Sequence, residues 1–508
     1  MNSKEAKVKK IRGSSNVAYL GRALDEMVYS FMEEHKIDGL SLAIVQAPYI
    51  PRSVGYGVSD TKHRTLASVN TLWPAGQISQ AFAAVAVMQL VEQSKISLDD
   101  KAVKYIPELP ASWADITVLQ LLRHASGLPD YRGSSAPNTS AELKFAEIVA
   151  LIKDAALKFT PGTEAERSAT NFLLLTEIVE RASGMSYRNF VNKNQIEYLG
   201  LKHTAFAEDF SKLNYENLAE SEGVHQLFKK DMLYVNPAEP AKSYDSEGKE
   251  ILPIPSSALR GFSDIWASAQ DISFWDIALA GSILIHSPEN RSIIYAPWTL
   301  PDGRTVPASA GWQFYAHSGF MDIKGSIPGY SSYLSRFTDP AELVCVTLLA
   351  NKEGIDFTSL ARRIAGAFGD LLSTNYDDNK LFLYEGQLPV DATVKRLEKL
   401  LSEKNIPIFA KFDHAKNAEE AGLSLRPTTV LVFGAPKVGT ALMQADQSVS
   451  LELPIKISVW EDEKGSTWLA FPRIGRLMAD YSLEAHPVSA KLEMLLEELV
   501  RKAGDFYA

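Results

Sequence analysis

The apolar positions of this chain change period several times along its length. Residues about 20–36 repeat every three to four positions, which predicts an amphipathic helix. Gly39-Leu-Ser-Leu-Ala-Ile-Val-Gln46 and Ser53-Val-Gly-Tyr-Gly-Val-Ser59 follow, joined by a Pro-containing turn, and read as a strand pair. From about 75 to 290 helical periodicity dominates, interrupted by loops with Gly and Pro, and a long apolar helix is expected from Ala81 to Glu92. Strand patterns return at Ser331–Phe337 and Leu343–Ala350, and a further helix is expected at about 357–373. Strands at both ends with helices between them predict an α/β sheet region carrying an inserted all-helical region.

After Asn375 the chain turns polar at Tyr376-Asp-Asp-Asn-Lys380 and runs to Gln387-Leu-Pro389, so 376–389 reads as a linker. Beyond it Val394–Lys404 is helical, and Pro407–Phe412 and Thr428–Gly434 are strand-like. Val459–Asp462 and Ser466–Phe471 form a hairpin around Glu463-Lys-Gly465, and Ala490–Ala503 reads as a closing helix. The division is therefore an N-terminal extension (1–19), a sheet-and-helix domain (20–375), the linker, and a small α+β domain (390–508). A length of 508 residues agrees with two or three domains.

Composition narrows the function classes. Hydrophobic content of 46% with 22% charged residues is that of a globular chain, and a net charge of −10 argues against nucleic acid as the main partner. Cys345 is the single cysteine and sits in an apolar run, so it reads as a buried strand residue; neither a disulfide framework nor a cysteine metal site is possible. The nine histidines show no metal-ligand spacing, and no metal or cofactor is expected. Met1–Arg12 is charged and is not followed by an apolar stretch, so it is no signal peptide, and no run spans a bilayer. Two compartments stay open: the cytoplasm, or the periplasm if a leader has been removed.

Candidate chemistry begins at Trp73-Pro-Ala-Gly-Gln-Ile-Ser-Gln-Ala-Phe82, a turn with Gly76 opening the apolar helix. Several ordered segments accompany it. These are Gln89–Asp100, Ile116–Tyr131 with Leu-Leu-Arg-His-Ala-Ser-Gly-Leu-Pro-Asp-Tyr at its end, Pro161-Gly-Thr163, Thr170–Leu175, Ser183–Tyr187, Trp266–Ile272 and Gly325–Ser332. Together they resemble the β-lactamase-related serine hydrolases and penicillin-binding proteins, in particular the class C and D-alanyl-D-alanine carboxypeptidase branch. The resemblance implies a β-lactamase/transpeptidase-like fold, an antiparallel sheet with an inserted all-helical region.

It also implies three catalytic motifs, and this chain departs from each. In the S-x-x-K motif a lysine amine reaches a serine hydroxyl one helical turn away. Those positions read Gln77 and Gln80, and a carboxamide is neither nucleophile nor base near neutral pH. Ser79 is no substitute: Phe82 stands where its lysine would be, and two positions turn it roughly 200° around the helix. The Y-x-N motif reads Arg167-Ser168-Ala169, and the K-T-G or H-x-G motif reads Ile323-Lys324-Gly325. Lys324 as a one-residue shift would point to the opposite face of a strand. Losing a nucleophile–base unit costs on the order of 10⁴ to 10⁶ in rate. No competent catalytic set is expected among Gln77, Gln80, Arg167, Ala169 and Ile323.

A pocket for a small anionic or peptide-like ligand would use what remains. The backbone amides of Gln77 and Ser326 stand where the family places its oxyanion hole. Gln77, Gln80, Arg167, Ser326 and Lys324 are the ligand-binding candidates, Arg167 because a guanidinium suits a carboxylate or phosphate. An ion pair of Arg167 with Glu164 or Glu166 is the more ordinary role. His124 reads as a hydrogen-bonded structural residue, and His317 imitates an H-x-G motif. Trp73, Trp266 and Trp312 are core aromatics by default and cleft-lining ones otherwise.

The C-terminal segments Phe412–Ala415, Ala421–Thr429, Phe433–Thr440, Leu442–Ala445, Leu453-Pro454 and Val459–Asp462 resemble a bacterial family known only as domain of unknown function 302. That resemblance implies a small α+β fold that tends to pair, hence a homo-oligomer through this domain. Within it His414 and Lys437 are the site candidates, with surface turns as the plainer reading. Three functions stay open: a non-catalytic β-lactamase-like protein with a retained binding cleft, an active hydrolase of that superfamily using other groups, and a structural or regulatory module.

Overall fold

The computed structural model describes residues 18–19, 22–46, 49–133, 144–206, 240–251, 259–315, 320–339, 342–366, 381–479, 481, 483 and 486–506. His317, most of the expected N-terminal extension, residues 367–373 and the first five linker positions lie outside these residues. The chain separates into two compact units, residues 1–313 with 321–374, and residues 375–508 with the short segment 314–320.

In the first unit helix α1 (Leu24–His35) buries Leu24, Met27, Val28, Phe31 and Met32, the stripe its periodicity predicts. Strands β1 (Gly39–Gln46), β2 (Tyr49–Asp60) and β3 (Thr65–Leu66) follow. Next come β4 (Trp73–Pro74) and helices α2 (Ile78–Glu92), α3 (Val118–Leu122) and α4 (Ala169–Ser183). The chain continues through β5 (Thr204–Phe206), β6 (Ile265–Ala267) and α5 (Ala269–Ala280). It returns as β7 (Ala308–Ser309), β8 (Trp312–Phe314), β9 (Phe320–Ile327), β10 (Tyr330–Asp339) and β11 (Glu342–Ala350), then α6 (Thr358–Gly366).

Eight strands make one sheet in the order β7-β8-β9-β10-β11-β1-β2-β3. The closure comes from β11 pairing antiparallel with β1, Val346 opposite Ile44, so strands from the two ends of the unit meet in the middle of the sheet. β11 is packed on both faces, which explains its unbroken apolar run and the full burial of Cys345. One face carries α1 and α6, where Phe31 and Tyr333 approach Phe357. The other carries α5, whose Ser273 hydroxyl is hydrogen-bonded to that of Thr347 on β11. The helical stretch also contains a small sheet, β4-β6-β5, whose strands are too short for a sequence pattern to show.

Between α5 and β10 lies a buried ion pair. Arg336 is fully buried, bonded to the Asp276 carboxylate, and stacked at 4.6 Å from the Tyr295 ring and 5.1 Å from that of Trp312. No motif announces it.

In the second unit the 376–389 reading is corrected. Leu381–Gly386 is strand β12, paired with β16 (Thr467–Pro472), because Phe382 and Tyr384 alternate inward onto the core. The helix expected from Val394 begins at Val390, as α7 (Val390–Glu403). Strand β13 (Ile408–Asp413), α8 (His414–Glu420), β14 (Thr428–Phe433), α9 (Pro436–Ala445), β15 (Ile455–Glu461) and α10 (Pro487–Gly504) complete it. The sheet order is β12-β16-β15-β14-β13. Leu397 and Leu401 of α7 and Leu496, Leu499 and Val500 of α10 share one core with Leu431, Ile457, Val459 and Leu469.

The Arg336–Asp276 pair sets a stability prediction. Asp276→Ala leaves a desolvated guanidinium and is expected to cost about 3–5 kcal/mol in chemical denaturation; a loss well under 1 kcal/mol would contradict that reading.

Candidate functional site

Three segments converge at the start of α2. Gly76 takes φ +55° in the turn before the helix, and a side chain there would collide with the Ser332 hydroxyl, which itself donates to Ala75 C=O at 2.8 Å. Gly325 on β9 is closer still: a Cβ would lie 2.1 Å from Ser332 Oγ and 3.0 Å from both Gln77 N and Gln77 Oε1. Only a glycine lets β9 approach the turn to this distance.

That approach joins Gln77 to Ser326. Ser326 N–H donates to Gln77 Oε1 at 2.8 Å, and Gln77 Nε2–H donates to Ser326 C=O at 3.3 Å. The Ser326 hydroxyl accepts from Gly354 N–H at 3.2 Å. The Ser326 amide expected as a free donor is therefore bonded to the chain's own side chain. Ser79, two positions on, accepts from Ile265 N–H at 3.2 Å and faces β6.

Gln80 is fully buried, and its Oε1 lies 3.4 Å from His124 Nε2. Among the described residues its Nε2 has no hydrogen-bond partner. His124 Nδ1 lies 2.9 Å from Asn171 Nδ2 and accepts from Ser168 N–H at 3.3 Å. Because a backbone N–H can only donate, Nδ1 is the acceptor and the ring proton sits on Nε2, facing Gln80. Ser126 donates in turn to Asn171 Oδ1. Burial, reinforced by the charge of Arg167, lowers the His124 pKa to about 3. The expectation of a structural histidine agrees with this geometry, whereas Asn171 and Ser126 carried no sequence signal.

The loop after α3 positions the next segment. Glu166 N–H donates to His124 C=O, Gly162 N–H to Ala125 C=O and Lys158 N–H to Gly127 C=O. Asp130 accepts from Ala169 N–H at 3.1 Å at the first turn of α4. Burial works against the Asp130 charge, but Arg132 and the Ala169 amide hold its pKa below the usual carboxylate range. Ala169 is fully buried and Arg167 half-buried. Glu166 is paired with Lys158, and Glu164 with Arg304 at 2.9 Å, so both acids considered for Arg167 have other cations.

On β9 the alternation separates the remaining candidates. Gly325 faces Gln77, so Ile323, fully buried, shares that face. Lys324 lies on the other face with Asp322, whose carboxylate accepts from Tyr333 OH at 3.0 Å. Lys324 is thereby set apart from Gln77 and Gly325. The three tryptophans are core residues: Trp73 donates to Ser41 Oγ at 2.9 Å, Trp266 stands edge-on to Tyr330 at 5.8 Å, and Trp312 lies against Arg336. A polar cavity of about 240 Å³ opens beside the β9–β10 turn, lined by Lys242, Ser243, Gly329, Asn351 and Glu353 and not by Gln77 or Gln80.

The second unit's candidates do not converge. His414 is the first residue of α8, with its ring 6.3 Å from that of Phe412, and Asp413 caps that helix by accepting from Lys416 N–H. Lys437 is exposed in the first turn of α9. A helix starting at Pro436 stands where a surface turn was the plainer reading, since Pro is favoured at the first helical position.

Comparison with known proteins fixes the family. The family described as Beta-lactamase matches residues 24–368. The chain belongs to the β-lactamase family. Residues 384–499 match the domain of unknown function DUF302. Among relatives, Penicillin-binding protein 4* of Bacillus subtilis is 26% identical over 329 residues, 63% of this chain and 69% of its own length. Protein flp of Staphylococcus aureus is 25% identical over 197 residues, 38% of this chain and 40% of its own length. Among solved structures, the octameric penicillin-binding protein homologue of Pyrococcus abyssi has a TM-score of 0.55 at 20% identity, covering 88% of this chain and 89% of its own. A class C β-lactamase mutant has a TM-score of 0.54 at 19% identity, covering 68% and 96%. The family resemblance and the β-lactamase/transpeptidase-like fold read from the ordered segments are borne out.

The buried His124 gives a pH signature. Its folded pKa lies below the unfolded value of about 6.5, so the unfolded chain binds the extra proton between about pH 6.5 and 3. Stability is fully present above pH 6.5 and is lost as pH falls through that window. The midpoint of urea unfolding should drop more between pH 7 and 4.5 in the wild type than in His124→Gln; equal pH slopes would contradict a neutral buried imidazole.

Proposed function

We propose that this β-lactamase-family protein does not perform acyl-serine chemistry, and that it acts through binding and association. The observation that carries this reading is the pair of hydrogen bonds between Gln77 and Ser326. If Gln77 stands at the family's nucleophile position and Ser326 N–H at its oxyanion hole, the carboxamide C=O takes the place a substrate carbonyl needs. The same side chain then supplies no nucleophile. Gln80 at the lysine position faces a histidine that stays neutral, so no base is available to it. Ile323 removes a cation from the third side.

A small anionic or peptide-like ligand would be recognised at the rim by the half-buried Arg167, without the Ser326 amide. The C-terminal domain supplies association; the octameric homologue from Pyrococcus abyssi, similar over most of this chain, supports an oligomer.

A fluorescent penicillin should give no covalent band, and a chromogenic cephalosporin no turnover above the solvent rate. Labelling that Gln77→Ala abolishes would overturn the reading. The double variant Gln77→Ser, Gln80→Lys should gain little, because Arg167 and Ile323 are unchanged; a gain of several thousand-fold would show a cleft otherwise intact.

A further inference from the structure

The two edges of the C-terminal sheet are treated differently. At one edge β12 is mostly buried, with four of its six residues inside. At the other, β13 leaves five of six exposed and is paired only with β14. An edge strand presents unpaired backbone groups, and proteins that stay monomeric usually guard it with charge. Lys411 is the one cation on β13, and it is drawn back into an ion pair with Glu398 of α7 at 2.9 Å. Around it Ile408, Phe409 and Phe412 are 37%, 54% and 47% exposed. Beyond α8 the same connection exposes Leu423 at 69% and Leu425 at 49%.

We propose that β13 and the Leu423–Leu425 segment form the contact of a two-fold dimer of this chain, which deepens the association reading above by naming its surface. The area decides for a second copy. Taking about 200 Å² for a fully exposed large side chain, these five residues offer about 500 Å² of apolar surface. A standard interface buries about 800 Å² per partner, somewhat more than half of it apolar, so the patch matches one side of such a contact. A strand edge is also self-complementary. Antiparallel overlap of β13 with itself about a two-fold axis at Ala410 sets the two Ala410 residues face to face, with Phe409, at the register irregularity of β13, and Phe412 of each copy on either side of the axis.

The test is sedimentation velocity on the full chain across micromolar concentrations, with the double variant Phe409→Asp, Phe412→Asp. Both side chains are exposed, so the variant should keep the wild-type circular dichroism. The expected result is a self-associating wild type and at least a tenfold weaker association in the variant. As a second measurement, Ala410→Cys should give an intermolecular disulfide under oxidation; the buried Cys345 offers no competing thiol. Association that survives the double variant, with no cross-link at Ala410→Cys, would overturn this surface and leave the association reading standing. A wild-type chain that is monomeric at every concentration would overturn both.

Discussion

The contact between the Gln77 carboxamide and the Ser326 backbone ties the start of α2 to the hairpin strand β9, and most of the site follows from it. A primary amide offers one acceptor and a donor pair in a plane, matching the C=O and N–H of a single strand residue. Neutral hydrogen bonds of this kind contribute about 1 kcal/mol each, a modest gain for the fold. Their larger consequence is occupancy. A backbone donor that already has a partner does not polarise a second carbonyl without first releasing the first. The close packing at Gly76 and Gly325 keeps that geometry in place, since any side chain at either position would push the two segments apart.

Behind the contact lies a chain of uncharged groups. Gln80, His124, Asn171 and Ser126 are all buried, and of the charges acting on His124 the half-buried Arg167 weighs most, ahead of Asp130 and Arg132, which oppose each other. Acyl-transfer catalysis needs a group that can change protonation near its working pH, and burial has driven the one imidazole here far below that range. Gln80 also leaves one buried amide donor unpartnered among the described residues, a cost of the size of a lost hydrogen bond. The groups from Gln80 to Ser126 are thus polar without being charged.

Much of the fold was legible because it is written in long patterns. The apolar runs at Gly39–Gln46 and Leu343–Ala350 are the two strands that close the sheet, and the ordered segments from Gln89 to Ser332 carry the family. The six-residue strand at Leu381–Gly386 was hidden by the polar run before it, and two- and three-residue strands have no period to read. In the site, the face of each β9 residue follows from counting once Gly325 is placed against Gln77. Partners distant in sequence were not legible. Nothing local says that Asn171 and Ser126 hold His124, that Lys158 and Arg304 take the acids near Arg167, or that Asp276 meets Arg336 inside the core.

The most direct measurement is hydrogen exchange at the Ser326 amide, resolved to single residues in the full chain. Ser326 is exposed, so its N–H is protected only by what accepts it. Slow exchange is expected in the wild type and exchange near the unprotected rate in Gln77→Ala, with the neighbouring β9–β10 pairs unchanged. A Ser326 amide that exchanges freely in the wild type would mean that the position is open to a substrate carbonyl and that Gln77 does not occupy it.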